Sequence, residues 1–452
     1  MTVYILILLI ILTFVFGFKN TIFEISWKKR GFAGLLIARE VFLLIIVGVL
    51  IFHINQTEGI TTFYVDSASI AETEMLVLST LLGMLVLISV FSKTIFRKYL
   101  YERSSSSYFS NIHKNETYLL YSILLLILLL DVIFLASGMK NALIEAIIFN
   151  RDLMTVRLHN SYGTIIPTFL VSFYSFLVYF LAITMGLLVR KKSKIVIVIW
   201  VLFLFLSAGF FGGKAPVFVT LFLFFLAILS RKEISLSRIL VLSVPLTVIL
   251  IFLIFFMVKV QYPDIESGDF LAYMIQRIGV GQIQGVYEQF ALQIRDSDYI
   301  WHTVPFANFV IDAPAFNKDL MLSTWGQNVD SESTGVMNSY FIGEALAIGG
   351  YVLVYFSPVI VAFSYCLTFA VFFILFKWYF SFNKGVTSLY IKLLLPTVII
   401  FTGDIAGFLF LKLLVMLMIF ITVVFIVFVL IKTFISAYKN NLMKKRSLNL
   451  VL

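Results

Sequence analysis

Charged side chains are scarce: Asp, Glu, Lys and Arg make up 13% of the 452 residues, while apolar residues reach 61%. An ordinary soluble domain carries about twice that share of charge, so a conventional water-soluble fold is excluded. Cysteine is nearly absent. The single Cys366 lies within an apolar run, which rules out a disulfide within the chain and reads as an inert buried thiol. Histidine is rare too: positions 53, 113, 159 and 302 stand apart from Cys or carboxylates at ligand spacing, and the one acidic dyad is the DSD run at 296–298. No metal constellation is expected. Walker A, dinucleotide and Gly-x-Ser-x-Gly motifs are missing, so neither an internal nucleotide engine nor a cofactor is expected.

What the chain has in abundance is long apolar runs, and roughly 20 such residues in a helix cross the hydrocarbon core. About eleven spans are expected, near 2–18, 33–54, 74–96, 117–137, 163–189, 195–212, 215–230, 239–259, 346–376, 387–403 and 405–431. Stretches such as LLYSILLLILLL and MLMIFITVVFIVFVLI are apolar on every side, unlike the alternating strands of a barrel. The fold class is therefore an all-α integral membrane protein. Residues 1–259 carry spans 1–8, 260–345 form one large loop, 346–431 carry spans 9–11, and 432–452 form a basic tail. The first segment has its positive charge after the apolar run and lacks an Ala-x-Ala site, so it reads as a span and not as a cleaved signal.

Lys and Arg cluster in alternate connections: 19–30, the stretch from Lys93 to Lys114, 190–194, 231–238, 377–392 and the tail. Short basic loops remain cytoplasmic, which puts the amino terminus outside and the carboxyl terminus inside. On this topology about 24 of the 34 basic residues are cytoplasmic and about 18 of the 24 acidic residues are outside. The net charge of +10 thus reports orientation and contact with anionic membrane lipids, and no nucleic acid is expected as a partner.

Three outer segments carry the chemistry that remains: residues 138–162, the tight GGKAP turn at 212–216, and the loop after about Val260. Within the loop, apolar residues at helical spacing (Leu271, Met274, Ile278, Ile283, Val286, Phe290, Ile294) predict an amphipathic helix broken at Gly279–Gly281. On an otherwise acidic face stand Arg151, Arg157, Lys214, Arg277, Arg295 and Lys412. Such groups bind phosphate oxygens and offset leaving-group charge. Lys214 sits between two glycines that let backbone approach a ligand and Pro216, which suits a helix start. Asp312, Asp319, Glu344, Asp404 and His302 are candidate general bases, with Glu344 and Asp404 at span ends. Lys392 and Lys412 read as snorkelling cations. Asp131 and the adjacent Arg39 and Glu40 lie inside spans, so each needs a partner on another element.

GFFGGKAPVFVTLFLFFLAILS resembles the G-x-K-x-P-x-V turn and following span of Wzy-type O-antigen polymerases. IQRIGVGQIQGVYEQF resembles the arginine-bearing helix of their large periplasmic loop, and MNSYFIGEALAIGGYVL resembles the N-x-x-F…G-Y segment that re-enters the membrane. The resemblance covers the chain from about Met139 onward. It implies a GT-C-like polymerase or ligase architecture in the bacterial inner membrane, with the loop periplasmic. The activity implied is metal-independent transfer of oligosaccharide repeat units from undecaprenyl diphosphate, with a chain-length regulator protein as a further partner. By motif, Lys214 and Arg277 match basic positions that handle diphosphate. Arg151, Arg157, Arg295, His302, Asn338 and Tyr340 are substrate-binding candidates beside them, and Glu344 and Asp404 remain candidate catalytic carboxylates. A lysine stands at 214 where an arginine would grip bidentately. A flippase of lipid-linked sugars, the related O-antigen ligase and a membrane scaffold are the rival readings; the long loop and the paucity of mid-span cations disfavour the flippase.

Overall fold

The structure is a computed structural model that describes residues 1–25, 32–56, 58, 62–102, 114–149, 151, 153–162, 166–189, 192–230, 252, 255, 258–259, 276–307, 310–325, 337–403 and 405–449; at 154, 158, 161–162, 214, 276, 278, 406 and 440–449 it describes backbone alone. Among the described residues there is no strand beyond an isolated bridge between Thr21 and Tyr101. Six helices are long and apolar enough to cross a membrane: Phe32–Asn55, Ser67–Lys93, Lys114–Ala136, Thr168–Leu188, Phe341–Tyr379 and Lys412–Lys439. Shorter apolar helices cover Thr2–Gly17, Lys194–Ala208 and Ala215–Ser230. The architecture is that of an all-α membrane protein.

Several boundaries differ from the hydropathy reading for local reasons. The helix expected from 74 begins at Ser67, because Asp66 and Ser69 form a reciprocal capping box. Ahead of the span expected from 346 lies a short helix that begins at Phe341 and carries Glu344 in its first turn; Gly350, at φ 67° and ψ −163°, kinks the chain between it and the helix that continues to Tyr379. The helix expected from 405 is interrupted: a four-residue turn, Ala406–Leu409, precedes Leu411 at φ 56°, and the long helix starts at Lys412. That helix then runs to Asn449, so most of the basic tail is its continuation; no Gly or Pro follows Gly407 to stop it. The span expected at 239–259 lies almost wholly outside the described residues.

The chain forms two compact units, each assembled from separate stretches. One contains Met1–Ser106, Tyr262–Ile374 and Ile391–Met416. Its core carries rings such as Phe23 against Phe369 at 5.0 Å and Tyr365 against Phe401 at 5.1 Å, and Cys366 is buried there as an unpaired thiol. Buried polar groups tie its elements together. Glu40 accepts from the backbone N–H groups of Phe401 and Thr402, the latter at 2.9 Å, just where the chain has left the helix Lys384–Val398. The partner that Glu40 required is thus unsatisfied backbone. Lys392 does not snorkel: it is buried and donates to Glu102 at 2.6 Å, because a carboxylate enclosed beside it offers what water would have.

The second unit contains Ser107–Gln261, Leu375–Tyr390 and Leu417–Leu452. Phe180, Phe376 and Tyr390 pack together in its interior, with Phe382 stacked on Tyr390 at 5.4 Å. Asn115 donates to the Phe380 carbonyl at 2.7 Å, holding a turn that follows a helix end. Asp131, the other carboxylate inside a span, accepts from the Tyr174 hydroxyl at 2.8 Å.

Candidate functional site

In the second unit the segment after Gly138 folds back on the glycine turn. Asn141 accepts from the Ile144 N–H at 3.2 Å, capping the helix Ala142–Ile148, and donates to the Leu206 carbonyl at 3.1 Å. The Ala142 N–H donates to the Phe210 carbonyl at 2.8 Å. Asn160, buried, brackets Lys140 with two bonds, accepting its N–H at 3.0 Å and donating to its carbonyl at 2.7 Å. Apolar contacts among Ala142, Ala146, Leu153 and Val156 make the segment a small folded cap. Gly212 has φ +74°, a left-handed conformation that a side chain disfavours, and an added Cβ would also stand 3.2 Å from Ala142.

Between this cap and the helix Thr168–Leu188 lies a cavity of about 380 Å³. Arg157, Asn160 and Thr168 supply polar groups to its lining, and Gly213 and Pro216 bring in the turn around Lys214. Val171, Val178 and Phe211 supply apolar wall, and Tyr174 lines it while its hydroxyl is bound to Asp131. Thr168 and Lys214 are the first residues of two helices, of 21 and 17 residues. Helix starts present free N–H groups and a partial positive charge, so both favour an anion. Pro216 falls in the first turn, where a missing N–H costs no helical bond. The side chain of Lys214 lies outside the described residues.

Two arginines of the same cap have different fates. Arg151 pairs with Glu145 at 2.8 Å, and its N–H donates to the carbonyl of that residue at 3.1 Å. Arg157 lines the cavity and is exposed to solvent.

The remaining candidates belong to the first unit. Arg277 is exposed on a π-helical turn, Gln276–Val280, which continues into the helix Gly281–Leu292. The break expected at Gly279–Gly281 is not found: the π-helical turn passes into the α-helix with Val280 at φ −61° and ψ −51°, and Tyr287, Glu288 and Gln289 are buried along with Ile283, Val286 and Phe290, so the helix is enclosed on more than one face. Leu271 and Met274 lie outside the described residues. The turn can lie close on the helix Val47–Asn55 because two glycines meet: a Cβ on Gly48 would stand 2.7 Å from the Gly279 carbonyl oxygen. Gln282, which sequence reasoning passed over, donates to the Arg277 carbonyl at 3.0 Å and accepts from the Asn338 amide at 3.5 Å. Arg277 and exposed Asn338 are thereby joined through one side chain.

Arg295 donates to the Leu346 carbonyl and lies over the Tyr351 ring at 5.6 Å. The Tyr351 hydroxyl in turn donates to Glu72 at 2.8 Å. His302 contributes its carbonyl to Lys412 at 2.6 Å, so Lys412 too is engaged and not simply snorkelling. Tyr340 is wholly buried, and burial holds its phenol well above the usual value. Glu344 is buried in the first turn of its helix, and Asp404 lies outside the described residues. Asp312 is exposed, and Asp319 bonds the Tyr299 hydroxyl, whose pKa is raised by burial and then by that carboxylate. Two further buried carboxylates were not anticipated. Glu288 accepts from the N–H groups of Phe63 and Tyr64 at 2.9 and 3.1 Å, and Glu74 binds His53 at 2.9 Å. Nothing in their spacing marks them, since each partner is distant in sequence.

Among the described residues no group of three or more His, Cys, Asp or Glu could hold a metal ion. Comparison with protein-family models, with curated proteins and with solved structures finds no match to this chain.

Proposed function

We propose that this chain is a Wzy-type polymerase of the bacterial inner membrane. It joins undecaprenyl-diphosphate-linked oligosaccharide repeat units at the periplasmic face, without a metal, and releases undecaprenyl diphosphate. The observation that supports this reading best is the cavity that combines Arg157, the Lys214 turn and two helix starts with a wall of apolar residues. From Thr168 to Tyr179 the lining follows one helix for twelve residues, a reach of about 16 Å. A lipid diphosphate has that division, an anionic head on an apolar chain. In the transfer, an acceptor hydroxyl attacks the anomeric carbon of the donor sugar and the sugar–phosphate bond breaks. Cations and helix N–H groups near the diphosphate offset the charge that develops on it. Arg277, with Gln282 and Asn338, offers a second polar surface for the saccharide or for diphosphate.

The test is to incubate the full chain in nanodiscs with a chelator and the lipid-diphosphate repeat unit, and to separate the products by electrophoresis. A ladder is expected, lost in Lys214→Ala and in Arg277→Ala while both proteins remain in the membrane. A normal ladder from both variants overturns the assignment of those residues. Movement of the lipid-linked unit across a proteoliposome bilayer with no ladder would mean a flippase, and transfer only onto a lipid-core acceptor would mean a ligase.

A further inference from the structure

A second constellation sits at the end of the helix Val47–Asn55, in the unit that carries Arg277. His53 Nδ1 lies 2.9 Å from Glu74 Oε2, and the His53 side chain is 28% exposed while that of Glu74 is 4% exposed. The other Glu74 oxygen is buried with no hydrogen-bond partner among the described residues, and so is the hydroxyl of Tyr287. Tyr287 stacks on Phe52 at 3.9 Å, and Tyr4 meets the His53 ring edge-on at 5.5 Å. Burial pushes the Tyr287 phenol well up, and the nearby Glu74 adds to the effect, so it remains neutral. Among the described residues, Tyr4 and Tyr287 are the titratable groups beside the His53–Glu74 pair. Buried polar atoms without partners are uncommon in native structures and mark places where water or a ligand group is handled.

A carboxylate on Nδ1 holds the imidazole in one tautomer, with the proton on Nδ1 and a free electron pair on Nε2. Gly279, two residues from Arg277, packs on Gly48 and Ile51 of the helix that carries His53, which is about 7.5 Å further along the axis from Gly48. Of the candidate bases legible in the sequence, Glu344 is enclosed in its helix, whereas His53 keeps a partly open ring.

We infer that His53, oriented by Glu74, is the general base of the transfer. The inference rests on the polymerase reading, with the donor diphosphate held at the Arg277 surface of the same unit, and on the topology that places this helix end outside. The acceptor hydroxyl gives its proton to Nε2 as its oxygen bonds to the anomeric carbon. The electron pair of the breaking sugar–phosphate bond leaves with undecaprenyl diphosphate, and the imidazolium returns its proton to water. Glu74 is a positioning residue in this scheme.

The experiment compares initial rates of ladder formation by the full chain in nanodiscs. His53→Ala is expected to lower kcat by about 100-fold or more with KM for the lipid-linked unit little changed, and added imidazole should restore part of the rate. A purely structural role would not give imidazole rescue. Should His53→Ala fail to purify, His53→Gln, whose amide can still bond Glu74, must show the same loss. Turnover by either variant within about threefold of the unaltered chain, or a loss that imidazole does not relieve in folded His53→Ala, overturns the inference. A ladder abolished by Lys214→Ala but untouched by His53→Gln removes the base alone; no ladder from the unaltered chain removes the polymerase reading and this inference with it.

Discussion

Arg157 and Arg295 are both exposed arginines, one in each unit, yet their surroundings differ in kind. Around Arg157 the backbone has been satisfied by neutral side chains: Asn141 and Asn160 bond the carbonyls and N–H groups of the cap, and the guanidinium borders a cavity. In the other unit charged groups do that work as well, beside the amides of Gln282 and Gln289, which hold the Arg277 and Ile294 carbonyls. Arg295 holds the Leu346 carbonyl, Lys412 the His302 carbonyl, Glu288 two N–H groups beyond a neighbouring helix, and Glu40 the backbone after Val398. Loops and helix ends near a membrane leave polar backbone that must be paired. Where amides do the pairing, cations are left for a ligand. A count of basic residues on one face cannot make that distinction.

The sharpest break of the comparison is expected at the pair in which both partners are enclosed. Lys392→Met leaves the Glu102 carboxylate buried without its 2.6 Å partner, and a loss of about 3–5 kcal/mol of stability is expected. Adding Glu102→Leu should recover most of it, because two apolar side chains need no pairing. Unfolding of the single and double variants in nanodiscs measures both. A double variant as unstable as the single one would show that the pair does more than neutralise itself.

A smaller effect separates the two arginines of the cap. Arg157→Ala removes a charge-assisted donor from the cavity, and binding of the lipid-diphosphate unit should weaken about 10- to 100-fold. Arg151→Ala breaks an ion pair that is half in solvent, where such pairs contribute about 0–1 kcal/mol, so both binding and stability should change little. Equal losses from the two substitutions would erase the contrast between a cation at a cavity and one engaged by its neighbour.

Much of this was legible in the residues, though unevenly. Apolar runs gave the helices and the glycines gave the turn before Lys214, since each is a local property of the chain; at Gly279–Gly281, where a break was expected, a π-helical turn keeps the helix continuous. That Asp131 and Glu40 would need partners followed from charge inside a span, but not that Tyr174 and bare backbone would be those partners. Glu74 with His53 and Glu288 with Phe63 are separated by 21 and 225 positions, and no spacing rule reaches that far. Lys392 read as a snorkeller because hydropathy gives depth along a helix and says nothing of which face meets a buried carboxylate.

The smallest expected effect asks whether even an exposed carboxylate of the first unit serves the backbone by charge. The Asp66 side chain accepts from the Ser69 N–H at 2.7 Å, and its own N–H donates to the Ser69 hydroxyl at 3.1 Å. Ser69 holds the Asp66 carboxyl below its usual value. A group whose folded-state pKa is depressed stabilises fully above its ordinary value, roughly 3.9 for Asp, and loses that contribution as pH falls through the lower folded value. Amides at 67–70 should therefore lose protection from hydrogen exchange as the medium is taken from about pH 5 to about pH 3, after correction for intrinsic rates. Asp66→Asn keeps a good capping oxygen without the charge, so its protection should be insensitive over the same range. If both proteins lose protection alike, the cap is held by its geometry alone. Charge would then be spent on backbone only where, as at Glu40 and Glu288, the carboxylate is enclosed.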